Sequence, residues 1–257
     1  MRLDETMAFY ENPASGANGS SYLTGLTATY KLNPRVVPVF RAVFVDNHAP
    51  ASGKDPSGSG FANPLLGVNY LRPLKNGWRW TGFLASTIPV GSGGGSSPDP
   101  AAAAAMGAAI PARSAMDNAL FAVNYWTLIG GLGAARVTPG LTLQAEATVL
   151  QLTRARGPAS QDAARTNLTL GLHAGRFFSK RISLGGELRL QRWMTDAAPV
   201  RANPRARETL TAAFGPRFHV KAGRHWIRPG LSYTRSLDDP LRGQGYGMVQ
   251  VDVPISF

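Results

Sequence analysis

The sequence predicts an all-β fold: a transmembrane, antiparallel, up-and-down β-barrel of about twelve strands, forming a single domain over residues 1–257. Three observations predict it. Apolar and polar residues alternate with period two along segment after segment, which puts one set on each face of a strand. The connections alternate strictly, long then short, so every long one falls at the same end. The final stretch, Gly245 to Phe257 (GYGMVQVDVPISF), keeps its alternation to the last residue, whereas a soluble domain usually lets its terminus fray in water.

Taken in order, Arg2 to Glu11 is a weak first strand, and Asn12 to Ser20, rich in Gly, Ser and Asn, is a loop. Ser21 to Leu32 alternates well, with Tyr22, Leu26, Ala28, Tyr30 and Leu32 against Thr27, Thr29 and Lys31. Asn33-Pro34 turns the chain into the Val/Phe-rich strand Arg35 to Asn47, followed by the polar loop His48 to Ser59. Phe61 to Arg72 and Trp78 to Val90 pair through the short connection Pro73 to Gly77. Gly91 to Asp117 is the longest irregular stretch. Its Gly/Ser-rich start reads as flexible, and its Ala run is long enough for two turns of helix. A loop of this length is either functional or disordered, and here it is expected to act as a lid.

Asn118 to Val137 and Leu141 to Arg156 are long strands meeting at Thr138-Pro139-Gly140. Gly157 to Ala164 is a loop, and Arg165 to Phe178 with Arg181 to Thr195 form a hairpin through Ser179-Lys180. After the loop Asp196 to Ala206, Arg207 to Lys221 and Trp226 to Leu237 turn back at Ala222-Gly223-Arg224. Asp238 to Gln244 leads into the terminal strand. An even strand count puts both termini on one side, with short periplasmic turns and longer extracellular loops. A soluble sandwich has no reason to gather every long loop at one end.

Composition agrees. Charged residues make up 16% of the chain, below the roughly 25% of a soluble domain, as suits a wall in which alternate residues face lipid. There is no cysteine, so neither a disulfide framework nor a thiolate metal site exists. The formal charge of +12 would suit nucleic acid, anionic lipid or anionic solutes, but the basic residues are scattered, unlike a nucleic-acid footprint. The longest small-apolar run, Ala101 to Ile110, is bounded by Pro100 and Pro111 and is far short of the roughly 20 residues of a membrane-crossing helix. The start, MRLDETMAFYENP, lacks the charged-then-apolar layout of a signal peptide. An exported barrel with this sequence is therefore expected to be a mature form or a fragment.

Parity predicts the two faces. Leu141, Leu143, Ala145, Ala147 and Val149 form one outward row; Leu168, Leu170, Leu172 and Ala174 a second; Ile182, Leu184, Leu188 and Leu190 a third; and Leu210, Ala212, Phe214, Phe218 and Val220 a fourth. The lumen lining is then Arg41, Arg79, Gln144, Glu146, His173, Glu187, Arg189, Gln191, Arg217, His219, Arg228, Gln250 and Asp252. An Arg facing lipid at mid-membrane costs roughly 2–4 kcal/mol, so the faces cannot be exchanged. Tyr30, Tyr70, Trp78, Trp80, Phe178 and Trp226 fall at the short-turn end, where an aromatic girdle belongs. Inside, Glu146, Glu187 and Asp252 meet the arginines. One reading is an ion-pair network that fills the lumen; the other is a basic constriction favouring anionic or dipolar solutes.

Catalytic constellations are missing from the sequence. His48, His173, His219 and His225 offer no HExxH spacing, no serine stands beside His173 or His219 in the strand pattern, and Gly93-Gly94-Gly95 is not followed by Lys-Ser or Lys-Thr. Asp238-Asp239 lacks the oxygens calcium needs. The expectation is a non-enzyme with no cofactor and no metal.

The terminal strand, with Val251, Val253, Ile255 and the closing Phe257, resembles the C-terminal strand of bacterial outer-membrane β-barrel proteins. That resemblance implies a cell-outer-membrane location, lipid contact and recognition by the barrel assembly machinery. Phe83 to Gly95 (FLASTIPVGSGGG) and Arg228 to Leu237 (RPGLSYTRSL) resemble strand-into-loop patterns of outer-membrane transporters associated with the MetA pathway of phenol degradation. This implies passage of small molecules, aromatic ones included. The expected function is passive small-solute transport; the alternative is a closed structural or adhesive barrel acting through its extracellular loops.

Overall fold

In a computed structural model the chain closes into a barrel of twelve antiparallel staves. The structure describes residues 1–11, 16–51, 56–113, 118–223 and 225–256, Ser256 by its backbone only. Parts of the expected loops at 12–15, 52–55 and 114–117, together with Arg224 and Phe257, lie outside the described residues.

The strands are β1 (Arg2–Glu11), β2 (Asn18–Thr29), β3 (Val36–His48), β4 (Gly58–Phe61), β5 (Leu65–Pro73), β6 (Trp78–Thr87), β7 (Tyr125–Val137) and β8 (Leu141–Arg154). They continue as β9 (Ala164–Phe177), β10 (Ile182–Trp193), β11 (Glu208–Phe218), β12 (Val220–Ala222), β13 (His225–Ile227), β14 (Gly230–Ser236) and β15 (Gly247–Ser256). Fifteen strands make twelve staves because β4 folds back onto β3, while β12 continues β11 and β13 leads into β14. Each stave pairs with the next, and β1 pairs with β15 to close the wall, from Arg2 opposite Pro254 to Phe9 opposite Gly247. Closure leaves no unpaired edge, which a sheet in hydrocarbon requires.

The register explains which faces result. Leu143 lies opposite Ala174, Ala145 opposite Leu172, and Leu188 opposite both Leu172 and Ala212. These outward rows form a continuous apolar band in which Leu143, Leu172, Leu188 and Phe214 are all exposed. Tyr30, Tyr70, Trp78, Trp80, Phe178 and Trp226 are exposed at the short-turn end. In β11 the chain needs Gly215. A Cβ there would stand 1.8 Å from the Leu231 carbonyl oxygen of β14.

The largest departures from the sequence reading lie between β6 and β7; smaller ones are a short helix, Ala198–Ala202, inside the expected loop Asp196 to Ala206 and the three-residue shift of β2. The stretch expected to begin a strand at Asn118 starts as a short helix, α2 (Asn118–Phe121), and β7 begins only at Tyr125. The Ala run forms more than two turns: α1 (Pro100–Ala112) is a 13-residue helix. Asp99 caps it by accepting the Ala101 N–H at 3.0 Å, and proline occupies the first turn, where its missing donor costs nothing.

α1 packs inside the barrel. Ala102, Ala105, Met106, Ala109 and Ala112 form its buried stripe, the spacing of one helix face. Ala105, Met106, Ala109 and Ala112 join the inward side chains Ala8, Leu23, Val43 and Val45 in the core cluster. Gly58 and Gly93 permit the approach, since a Cβ on either would stand 2.3–2.4 Å from α1 backbone atoms. At about 1.5 Å per residue the helix spans roughly 20 Å, from the long-loop rim beside β4 to Arg113 at the level of Thr6.

Candidate functional site: the barrel lumen

Below α1 the lumen holds a cavity of about 630 Å³. Its wall carries five guanidinium groups (Arg2, Arg41, Arg113, Arg189, Arg217) against the carboxylates of Asp4, Glu187 and Asp252, with His173, Gln250 and several Thr and Ser hydroxyls between them.

Asp4 and Asp252 are placed side by side by the closing β1–β15 register, and both are buried. Two neighbouring carboxylates there require cations. Arg217 supplies a bidentate pair, Nη1 to Asp252 Oδ2 at 2.8 Å and Nη2 to Asp252 Oδ1 at 2.9 Å, and donates to the Arg228 carbonyl at 2.7 Å. A planar fork on a carboxylate gives the strongest and most directional form of ion pair. Arg2 Nε reaches Asp252 at 3.6 Å and Asp4 at 3.9 Å. Arg113, the C-cap of α1, donates to Thr6 Oγ1 at 2.8 Å and Gln250 Oε1 at 3.3 Å and lies 3.8 Å from Asp4. The lower end of the helix is thus tied to the seam of the barrel, with a cation where the helix dipole favours one.

A second group spans β8 to β10. His173 bridges two carboxylates, with Nδ1 3.0 Å from Glu187 Oε2 and Nε2 3.4 Å from Glu146 Oε1. Arg189 pairs with Glu187, and Gln144 donates to Glu146 Oε2 at 3.0 Å. Register creates this: Gln144 and Glu187 both stand opposite His173.

Of the residues expected to line the lumen, Arg41, His173, Glu187, Arg189, Arg217, Gln250 and Asp252 border the cavity. Gln144 and Glu146 lie in the same wall through the His173 network. Gln191 is inward and buried higher up, opposite Thr169. Arg79 is on the inward parity of β6, opposite Pro73 and Ala135, away from the cavity. Arg228 is exposed at the short-turn rim, its guanidinium 5.9 Å from the Trp226 ring. His219 is inward, and contrary to the sequence reading a serine does stand beside it: Ser183 Oγ is 2.9 Å from His219 Nε2. The contact joins neighbouring staves, so spacing along the chain could not show it. No carboxylate contacts that imidazole among the described residues, so the orienting member of a hydrolytic triad is missing.

Sequence reasoning missed Arg2, Asp4 and Arg113. The first two were in reach, because Arg2, Asp4 and Thr6 share the inward parity of β1. Arg113 follows a helix whose insertion no local pattern announces.

A family model described as "Putative MetA-pathway of phenol degradation" matches residues 17–248. No curated protein matches the chain in sequence. Among solved structures, an outer-membrane channel from Pseudomonas putida F1 is similar at a TM-score of 0.60 and 10% identity, covering 98% of this chain and 94% of that one. The NanC porin follows at 0.57 and 10%, covering 99% and 100%. The KdgM porin gives 0.52 and 9%, covering 100% and 99%. At such identities the likeness is one of fold, that of an outer-membrane β-barrel.

Proposed function

The chain belongs to the family described as "Putative MetA-pathway of phenol degradation", and from that membership and the lumen geometry we propose that it is a passive outer-membrane channel for small solutes, favouring anions. The observation that carries the reading is the cavity wall, where five arginines face three carboxylates. A charged ring at a narrow point selects ions of the opposite sign. A neighbour of the same fold, the KdgM porin, has been solved in complex with disordered oligogalacturonate, an acidic sugar chain, which is in keeping with this preference. Passage of aromatic compounds is supported by the family description alone.

A second reading is a closed adhesive barrel. It is favoured by α1, which fills much of the long-loop half of the lumen. Planar-bilayer recording of refolded protein separates the two. A channel gives discrete current steps and, in a salt gradient, a reversal potential of anion-preferring sign. Arg217→Glu should move that potential toward cations. Arg228→Glu, at the exposed rim, should move it less. Absence of current under all conditions would support the closed barrel.

For biogenesis, Val251, Val253 and Ile255 on the outward face of β15 support engagement by the barrel assembly machinery; Phe257 lies outside the described residues.

A further inference from the structure

We infer that the long-loop end of the lumen carries a separate binding site for a small carboxylate, built on Arg165 between β9 and β10. Arg165 is the second residue of β9 and points inward. Its guanidinium carbon lies 4.3 Å from the Tyr125 ring centroid and 5.1 Å from that of Trp193. Among the described residues the guanidinium has no hydrogen bond and no ion pair, and its Nε is buried. Asp162, whose charge it feels, has both carboxylate oxygens engaged elsewhere, on the Ala198 N–H and Arg201. Arg165 is half-buried, its Nε is out of contact with water, and a partly desolvated cation without an anionic partner is costly.

The neighbouring side chains share this condition. Asn167 and Thr169 follow Arg165 at alternate positions, on the same face of β9. Gln191 stands directly opposite Thr169, and Trp193 opposite Asn167. Asn167 is 0% and Gln191 1% exposed, yet among the described residues both amide atoms of Asn167, the Gln191 Nε2 and the Thr169 hydroxyl have no hydrogen-bond partner. Buried polar atoms are partnered nine times in ten or more, so this concentration on two adjacent staves marks a recognition surface. Its chemistry is that of an anion receptor. The orphaned atoms comprise three N–H donors (Arg165 Nε, Asn167 Nδ2, Gln191 Nε2) and a hydroxyl, against a single carbonyl acceptor. A carboxylate, an acceptor at both oxygens, matches a guanidinium edge flanked by amide N–H groups. The lower chamber differs: there the arginines already hold Asp4, Glu187 and Asp252. In the anion-channel reading, on which this site's role in transport rests, Arg165 lies nearer the long-loop end of the wall than the arginines of the lower chamber.

The test is calorimetric titration of detergent-refolded protein with sodium propionate and, as its neutral isostere, propionamide. Propionate should bind and propionamide should not. Arg165→Gln should weaken propionate binding about ten- to hundredfold, the worth of one charge-assisted contact, while Arg176→Gln on the outward face of β9 should leave it unchanged. If Arg165→Gln does not fold, as judged by loss of heat-modifiable gel migration, the double variant Asn167→Ala, Gln191→Ala keeps the cation and should still weaken binding. Equal binding of acid and amide, no heat with propionate, or full binding by the variants would overturn the site. Titration needs no current: Arg165-dependent binding without conductance would leave the site standing and remove the channel, whereas anion conductance without binding would do the reverse.

Discussion

Asp162 holds two extracellular segments together with one carboxylate. Its Oδ2 accepts the Ala198 N–H and its Oδ1 a guanidinium N–H of Arg201, both at 2.7 Å, at the start and in the last turn of α3 (Ala198–Ala202). Burial acts to raise its pKa, but the Ala198 N–H and Arg201 outweigh it, and the carboxyl is held below its ordinary value. A depressed carboxyl stabilises the folded loop above its unfolded pKa, about 3.9, and that contribution fades as pH falls through the lower folded value. Proteolysis of the Asp196–Arg207 loop should therefore accelerate as pH drops below about 4, read with an acid-active protease. Asp162→Asn should be cut faster at neutral pH and lose that step; an unchanged pH profile would dissociate Asp162 from the loop. At this scale parity was legible and partnership was not. The inward set Glu187, Arg189, Arg217 and Asp252 follows from alternation, but Arg217 meets Asp252 across 35 positions and Arg113 meets Thr6 across 107. Pairing of β11 with β14 and of β14 with β15, with Gly230 between Arg217 and Asp252, brings the first pair together, and the insertion of α1 the second.

Among the elements, the strands announced themselves and the inserted helix did not. β1 spans Arg2–Glu11 as its alternation indicated, and β8 and β10 agree with the sequence to within two residues at each end, because each has one face in lipid and one in the lumen. α1 is Ala, Gly, Pro, Met and Ile throughout. A helix without a polar face carries no periodic signal of which side is buried, so the Ala run read as a loop with two turns. Its placement rests on close approach at Gly58 and Gly93 and on Arg113, whose bonds to Thr6 and Gln250 tie the lower end to the wall. Arg113→Ala should leave the barrel folded, since the staves hold themselves, but loosen the helix. Single-channel traces should then show larger and noisier currents. Currents like those of the parent protein would mean that the apolar stripe alone fixes α1.

For the whole molecule, twelve staves set the width. An eight-stranded barrel is filled by its own side chains and a sixteen-stranded one leaves an aqueous channel; this barrel lies between them and narrows itself with α1 above a charged chamber. Everything depends on which face of the wall meets water. Because the chain has no cysteine, a single introduced thiol reports its surroundings without interference. The most direct measurement is a cysteine scan of Leu143 to Thr148 on β8 in lipid vesicles, reacted with a membrane-impermeant, charged thiol reagent. The structure predicts labelling at Gln144, Glu146 and Thr148 and protection at Leu143, Ala145 and Ala147. Uniform labelling along the strand, or the opposite alternation, would contradict a closed barrel with a lipid exterior and a wet, charged interior.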